Sequence, residues 1–202
     1  MRVSLFKKTM AYLLDAMPIF FILMVLNSLF VAELLKNPYP DYDENYEVYQ
    51  QNVDDYYGTL DLYYQDLEDE IITQAEYDAQ VVTLRDDFLV VNDETETVIY
   101  EYFSRLIYFF IISFLVVKYL YNLFTKGQTY GLKLMKLEMV GKINWFSLLL
   151  REVFWREVFW IFTFGFGFLL DSIMLTFGKK RKTLRDMFSN TSIIYQGTSY
   201  PF

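Results

Sequence analysis

The chain has 202 residues, 54% of them hydrophobic and 20% aromatic, with a formal net charge of −8. It contains no Cys and no His, which excludes disulfides, thiolate nucleophiles, haem ligation, Ser-His-Asp chemistry and the ligand sets of nearly every zinc enzyme. Charge is divided along the chain: residues 37–98 carry 18 of the 26 acids against a single base, Arg85, while the remainder carries 17 bases and 8 acids. This is a basic, apolar protein with an acidic insert, and proton or ion chemistry falls to its carboxylates, Lys, Arg and Tyr.

Ala11–Leu35 is long enough to cross a hydrocarbon core, interrupted by Asp15, Asn27, Ser28 and Glu33. It exceeds a signal-peptide core and no small-residue cleavage site follows, so it reads as a span and not a leader. Pro38 and Pro40 end its helix. Beyond them Tyr42, Tyr46, Tyr49, Val53, Tyr56, Leu60, Tyr63 and Leu67 alternate by four and three, a coiled-coil-like seam on one long helix. Thr73-Gln74-Ala75-Glu76 reads as a capping box that starts a second helix at about Gln74. Tyr77, Val81, Leu84, Phe88 and Val91 continue the spacing on it, which predicts an antiparallel helical hairpin. Its tyrosines Tyr42, Tyr46, Tyr49, Tyr56 and Tyr63 serve either the hairpin's own packing or a partner's docking. Asp41–Asn45 faintly resembles a calcium loop but lacks the central Gly and distal Glu, and solvated charge is the plainer reading.

A second span covers Val98–Val117 and continues helical toward Phe124, with Glu101 and Arg105 paired at its outer end and Lys118 placed to snorkel to water. Gly127–Gly131 lacks the Walker spacing. The mixed order of Leu132–Val140 suits a short strand that pairs with Thr191–Tyr195. Asn144–Phe177 runs 34 residues, and as one helix would measure about 50 Å. Gly165-Phe166-Gly167 offers a turn within it. Lys126, Lys133, Lys136 and Lys142 precede this region, and Lys179, Lys180, Arg181, Lys182 and Arg185 follow it. The positive-inside rule places both clusters in the cytoplasm with Arg2, Lys7 and Lys8, so the region is a hairpin that crosses fully or re-enters.

The fold class expected is therefore all-α: a polytopic helical membrane protein of two long spans and a short membrane hairpin, carrying an acidic extracytoplasmic helical insert. The boundaries expected are 1–36 for the N-terminus and first span, 37–97 for the insert and 98–124 for the second span. A basic loop at 125–143, the membrane hairpin at 144–178 and a basic tail at 179–202 complete the chain. Both termini are expected in the cytoplasm of a bacterial plasma membrane protein.

Carboxylates within apolar helices call for a functional hypothesis. Asp15 leads, since Lys8 shares its face by i,i+7 spacing, Tyr12 lies one turn from each, and Pro18 frees the Leu14 carbonyl. The alternative is a shallow Asp15 that is hydrated or paired with a base. Asp171 is a second such carboxylate, four residues past Gly167. Arg151–Trp155 is repeated at once as Arg156–Trp160, and Glu152 and Arg156 are an i,i+4 pair. On an α-helix the repeat spreads these charges around more than half the circumference, so the helix packs inside a bundle or lies at the interface.

Several segments together resemble the RDD family of small bacterial membrane proteins. Lys7–Asp15 is similar to its opening base, Ala and intramembrane Asp, and Gly127–Leu137 to its Gly-x-Thr-x-Gly-Lys loop. Leu149–Glu152 resembles its next helix start, and Lys179–Thr191 its closing Thr-Leu-His-Asp…Thr segment. The resemblance puts the family's aspartates on Asp15 and Asp186. The family's Arg is Lys8 here, which forgoes a bidentate carboxylate pair, and its His is Arg185. What it implies about function is transport of ions or small solutes. Asp15, Asp171 and Asp186 would then handle protons or cations in an oligomer, with Lys8 and Arg151 as counter-charges. The alternative is a non-catalytic accessory or regulatory subunit that binds a membrane protein through the Tyr-rich insert. No enzyme activity, cofactor, metal or nucleic-acid partner is expected; the partners are the lipid bilayer and either further copies of the chain or another membrane protein.

Overall fold

The computed structural model describes residues 3–177 and 182–197. It divides into two compact units, Met1–Asn27 with Phe110–Phe202, and Ser28–Phe109. The basic run Lys179, Lys180 and Arg181 lies outside the described residues.

The protein is mostly helical. Helix α1 (Leu5–Leu26) begins at Ser4, whose hydroxyl accepts from the Lys7 N–H, and runs through Pro18 without a break. A π-helical turn (Asn27–Val31) passes it into α2 (Ala32–Lys36). After α3 (Tyr42–Glu68), helix α4 runs unbroken for 51 residues, Gln74–Phe124. It starts where the capping box predicts: the Thr73 N–H and hydroxyl both donate to Glu76 at 2.8 Å. The expected boundary at Val98 between insert and second span is therefore a point inside one helix. Leu5–Lys36 and Gln74–Phe124 are long and apolar enough to cross a membrane, and their apolar windows are only 0% and 11% buried. That exposure is unlike the core helix of a soluble domain.

In the unit Ser28–Phe109, α3 packs antiparallel to the first half of α4. Tyr42 lies on Tyr102 with ring centroids 4.4 Å apart, and Tyr56 and Tyr49 lean on Phe88 at 5.0 and 6.3 Å. Among these rings sits a polar pair: Asn52 donates to Asn92 at 2.8 Å, and Asn92, fully buried, donates on to the Phe88 carbonyl. A buried Asn in an apolar seam fixes which turns face each other, because any slip strands its amide. The expected Glu101–Arg105 pair is present at 3.9 Å, exposed, and contributes little.

In the other unit, α5 (Tyr130–Leu134) leads to β1 (Leu137–Gly141). Helix α6 (Trp145–Leu148) then continues through a π-helical stretch, Leu149–Val158, into α7 (Phe159–Phe162). Phe164 and Gly165, both at positive φ (48° and 84°), turn the chain into α8 (Phe166–Phe177). The apolar region thus breaks where its glycines predict. Helix α9 (Leu184–Phe188) precedes β2 (Thr191–Tyr195), which pairs antiparallel with β1, Leu137 opposite Tyr195 and Gly141 opposite Thr191. This ribbon qualifies the all-α class and matches the strand pairing suggested by Leu132–Val140. Leu137, Met139 and Ile193 from the ribbon join Ala11, Leu132 and Leu148 in the unit's small apolar core.

Replacing Asn92 by Ala leaves Asn52 without its acceptor and is expected to weaken the α3–α4 packing by about 1–2 kcal/mol. Hydrogen exchange on the amides of residues 49–60 in the full chain reads this. Unchanged protection there would contradict the pinning role.

Candidate functional site

The loop after α4 is built by three small residues. Gly127 turns at φ 73°, the Thr129 hydroxyl caps α5, and Gly131 lies so close to α1 that an added Cβ would collide with the Ala11 carbonyl. Asp15 completes the joint, accepting from the Gly131 N–H at 2.7 Å and from the Tyr121 hydroxyl at 3.1 Å. Tyr121 in turn accepts from the Tyr130 N–H. The Gly-x-Thr-x-Gly spacing therefore has a steric meaning: a turn, a cap and a close approach to the first helix.

Asp186 joins three elements. Thr183 and Asp186 cap α9 reciprocally, as side chain to backbone in both directions. The same carboxylate meets Lys8 of α1 at 3.2 Å and Arg151 of the π-helical stretch at 2.6 Å. Arg151, 0% exposed, also donates to Thr191 of β2 and to Glu152, and Glu152 is ion-paired with Arg156. On the far side of α9, Asp171 accepts from the Leu184 N–H at 3.0 Å and lies 3.6 Å from Arg185. Burial alone pushes the Asp186 carboxyl up, but Arg151, Lys8 and Arg185 outweigh it and hold it well below the usual carboxylate range. Burial, with the guanidiniums of Arg156 and Arg151, pulls Arg185 down to about 10.

Lys118 was expected to reach water from the end of its span. It is instead 2% exposed, its ammonium 4.6 Å from the Tyr12 ring, with the Arg156 guanidinium also 4.6 Å from that ring. Cation–π attraction and the long apolar stem make this burial tolerable. The Tyr12 hydroxyl donates to Glu157 at 2.8 Å. Between these groups is a cavity of about 10 Å³ lined by Lys8, Tyr12, Asp15, Lys118, Glu152 and Arg156, the room of about one water. Among the described residues the cluster sets Lys8, Lys118, Arg151, Arg156 and Arg185 against Asp15, Glu152, Asp171, Asp186 and half-buried Glu157, so its formal charges balance.

Asp15, Asp171 and Asp186 do not converge. Asp186 meets both Lys8 and Arg151, Asp171 faces Arg185, and Asp15 holds the α5 loop. Lys8 shares the helix face of Asp15 but its ion pair is with Asp186. Of the tyrosines, Tyr42, Tyr49 and Tyr56 are engaged in the α3–α4 packing, Tyr63 is half-buried, and Tyr46 is 40% exposed while stacked on Tyr42. Asp43, in the loop that faintly resembles a calcium site, lies in the first turn of α3 and pairs with Lys36 at 2.7 Å. Sequence reading did not single out Tyr12 as a bridge, nor Glu157. The available signal was the repeat, which sets Glu157 five residues after Glu152.

Two apolar helices and a buried, charge-balanced cluster describe a small membrane-compatible helical protein. The chain belongs to the RDD family, whose model matches residues 2–190. No curated protein and no solved structure matches it.

Lys8, Asp15 and Asp186 act as two fasteners. Lys8 takes Oδ2 of Asp186 and leaves Oδ1 to Arg151, a division that a bidentate Arg in its place would compete with.

Asp186→Asn leaves Lys8 and Arg151 buried without their counter-charge and is expected to cost about 3–5 kcal/mol, read as a fall in the thermal midpoint in detergent. Because the folded-state pKa of Asp186 is depressed, its contribution is full above the unfolded carboxylate value of about 4 and is lost as pH drops below it. The gap between wild type and variant should hold constant from pH 8 to 5 and narrow below 4. Gly131→Ala should displace the α5 loop from α1, read as increased proteolysis between Thr125 and Lys136; an unaltered cleavage pattern would refute the close-approach account.

Proposed function

We propose that this RDD-family chain is a non-enzymatic, multi-pass protein of the bacterial plasma membrane that moves protons or small cations as an oligomer. In this reading both termini and the 125–143 loop face the cytoplasm, and the acidic helical hairpin lies on the other side. Helix α8, at 12 residues, measures about 18 Å, which suits a re-entrant hairpin over a full crossing.

The observation that carries the reading is the polar cavity and the bridge beside it. Burying this many charges between apolar helices is costly, and such residues are kept where they work. The aspartates are already engaged, Asp186 by two bases, Asp171 by Arg185 and Asp15 by the α5 loop. Proton handling therefore shifts from them to Glu157, Tyr12 and Lys118, which line or adjoin the cavity. Glu157 is half-buried and bound through the Tyr12 hydroxyl, so among the described residues it can gain and lose a proton without breaking a buried ion pair of its own. A single chain offers too few helices for a pathway, hence the oligomer.

A second reading, a regulatory subunit that binds another membrane protein, is favoured by the exposed apolar side chains of α3. Tyr57, Leu62 and Tyr64 are 59%, 59% and 50% exposed. Deleting Asp41–Asn92 separates the two: flux that survives supports a transport core, and loss of a stoichiometric partner supports the subunit.

The direct test places purified full chain in liposomes carrying a pH-sensitive dye. Glu157→Gln is expected to reduce proton flux by about a hundredfold, the low end of what a positioned proton-transfer group contributes, with the thermal midpoint little changed. Flux equal to wild type in that variant would sink the transport reading.

A further inference from the structure

Four lysines, Lys126, Lys133, Lys136 and Lys142, stand against one acid, Glu138, between the end of α4 and the start of α6. Lys126 and Lys142 are exposed and differ from the other two in flanking cavities. A cavity of about 260 Å³ beside Lys126 is walled by Leu123, Ile143, Trp145 and Leu148, with Asn144 also lining it. Asn144 lines a second cavity, of about 170 Å³, that includes Lys142 and Phe146. Trp145 and Phe146 are 62% and 51% exposed, and the Tyr119 hydroxyl donates to the Trp145 carbonyl, tying this corner to α4. The corner thus combines a basic rim, an apolar trough and uncovered aromatic rings. It sits where the apolar helix α4 ends at Phe124, the depth at which a spanning helix meets lipid headgroups.

We propose that this corner binds an anionic phospholipid, its phosphate between Lys126 and Lys142 and a stretch of acyl chain along Leu123, Ile143 and Leu148. Charge complementarity selects the headgroup, since basic pockets at helix ends retain anionic lipids. The apolar trough selects a lipid over a free phosphate, which would gain nothing from those walls. Trp145 supplies the amphipathic ring that sits at the boundary of chain and headgroup. The inference does not depend on transport, because neither lysine belongs to the buried cluster.

The test is native mass spectrometry of the detergent-solubilised full chain with dioleoyl-phosphatidylglycerol or dioleoyl-phosphatidylcholine. Wild type is expected to retain phosphatidylglycerol in preference to phosphatidylcholine. Retention should fall about fivefold for each of Lys126→Gln and Lys142→Gln, the effect of one base at an anionic surface. Lys133→Gln, an exposed lysine that lines neither cavity, should leave it unchanged. Equal retention of both lipids overturns the proposal, as does equal loss in all three variants. Displacement of phosphatidylglycerol by millimolar inorganic phosphate also overturns it, since it would mark a site for the anion alone. Both target lysines are exposed, so their removal does not threaten the fold, and the lipid preference of wild type decides the matter even without variants.

Discussion

Asp186 is shared by two cations that arrive from distant parts of the sequence, and the unit around it depends on that sharing. One oxygen holds Lys8 on the first helix; the other holds Arg151 on the π-helical stretch. The N-terminal helix and the closing segment are thereby joined across 178 residues. Ion pairs buried this deeply contribute little net stability compared with apolar packing, but leaving one member alone is expensive. The arrangement therefore acts as a condition: every charge must find its partner, or none can be buried. The apolar core of this unit is small, and among the described residues the buried polar side chains outnumber the hydrophobic ones. Specificity in this half of the molecule comes from charge matching more than from the fit of apolar shapes.

Lys8, Asp15 and Asp186 divide the work of joining the elements of this unit. Lys8 and Asp186 connect the chain's two ends, while Asp15 fastens the α5 loop to α1 through the amide of Gly131. Thr129 and Thr183 each start a five-residue helix with a hydroxyl cap. Such short helices do not persist alone, and both are held here by carboxylates on neighbouring elements, Asp15 for one and Asp171 for the other. Both elements lead into strands of the same ribbon.

Much of the fold was legible where it rests on periodicity and local chemistry. The α3 seam, the Thr73 capping box, the glycine turn before α8 and the two apolar helices follow from residue spacing alone. The Asn52–Asn92 pair did not, because a polar residue in a seam looks the same in sequence as one beside it. Lys118 looked like a residue reaching for water, since sequence gives its position along the helix but not the Tyr12 ring that faces it. Asp15, Asp171 and Asp186 stood out as costly carboxylates, and Lys8 and Arg151 as bases near them. Their pairing is a tertiary fact: which base meets which acid depends on helix packing that no single segment records. α-Helical geometry would spread the charges of Arg151–Glu157 around the helix, but the stretch is π-helical.

The π-helical geometry of Leu149–Val158 changes the meaning of the five-residue repeat. Inserting five residues into an α-helix rotates everything beyond it by about 140°, which would carry a second Arg-Glu pair away from the first. The π-helix instead bonds each residue to the fifth along, so a five-residue step overshoots one turn only slightly and lands near the same face. Arg151 and Arg156, and Glu152 and Glu157, consequently look toward the same interior. For a gene, this makes the segment tolerant of one kind of length change. Copying a block of five codons adds another charged pair to the existing row, whereas adding or losing a single codon would turn the row away from that interior.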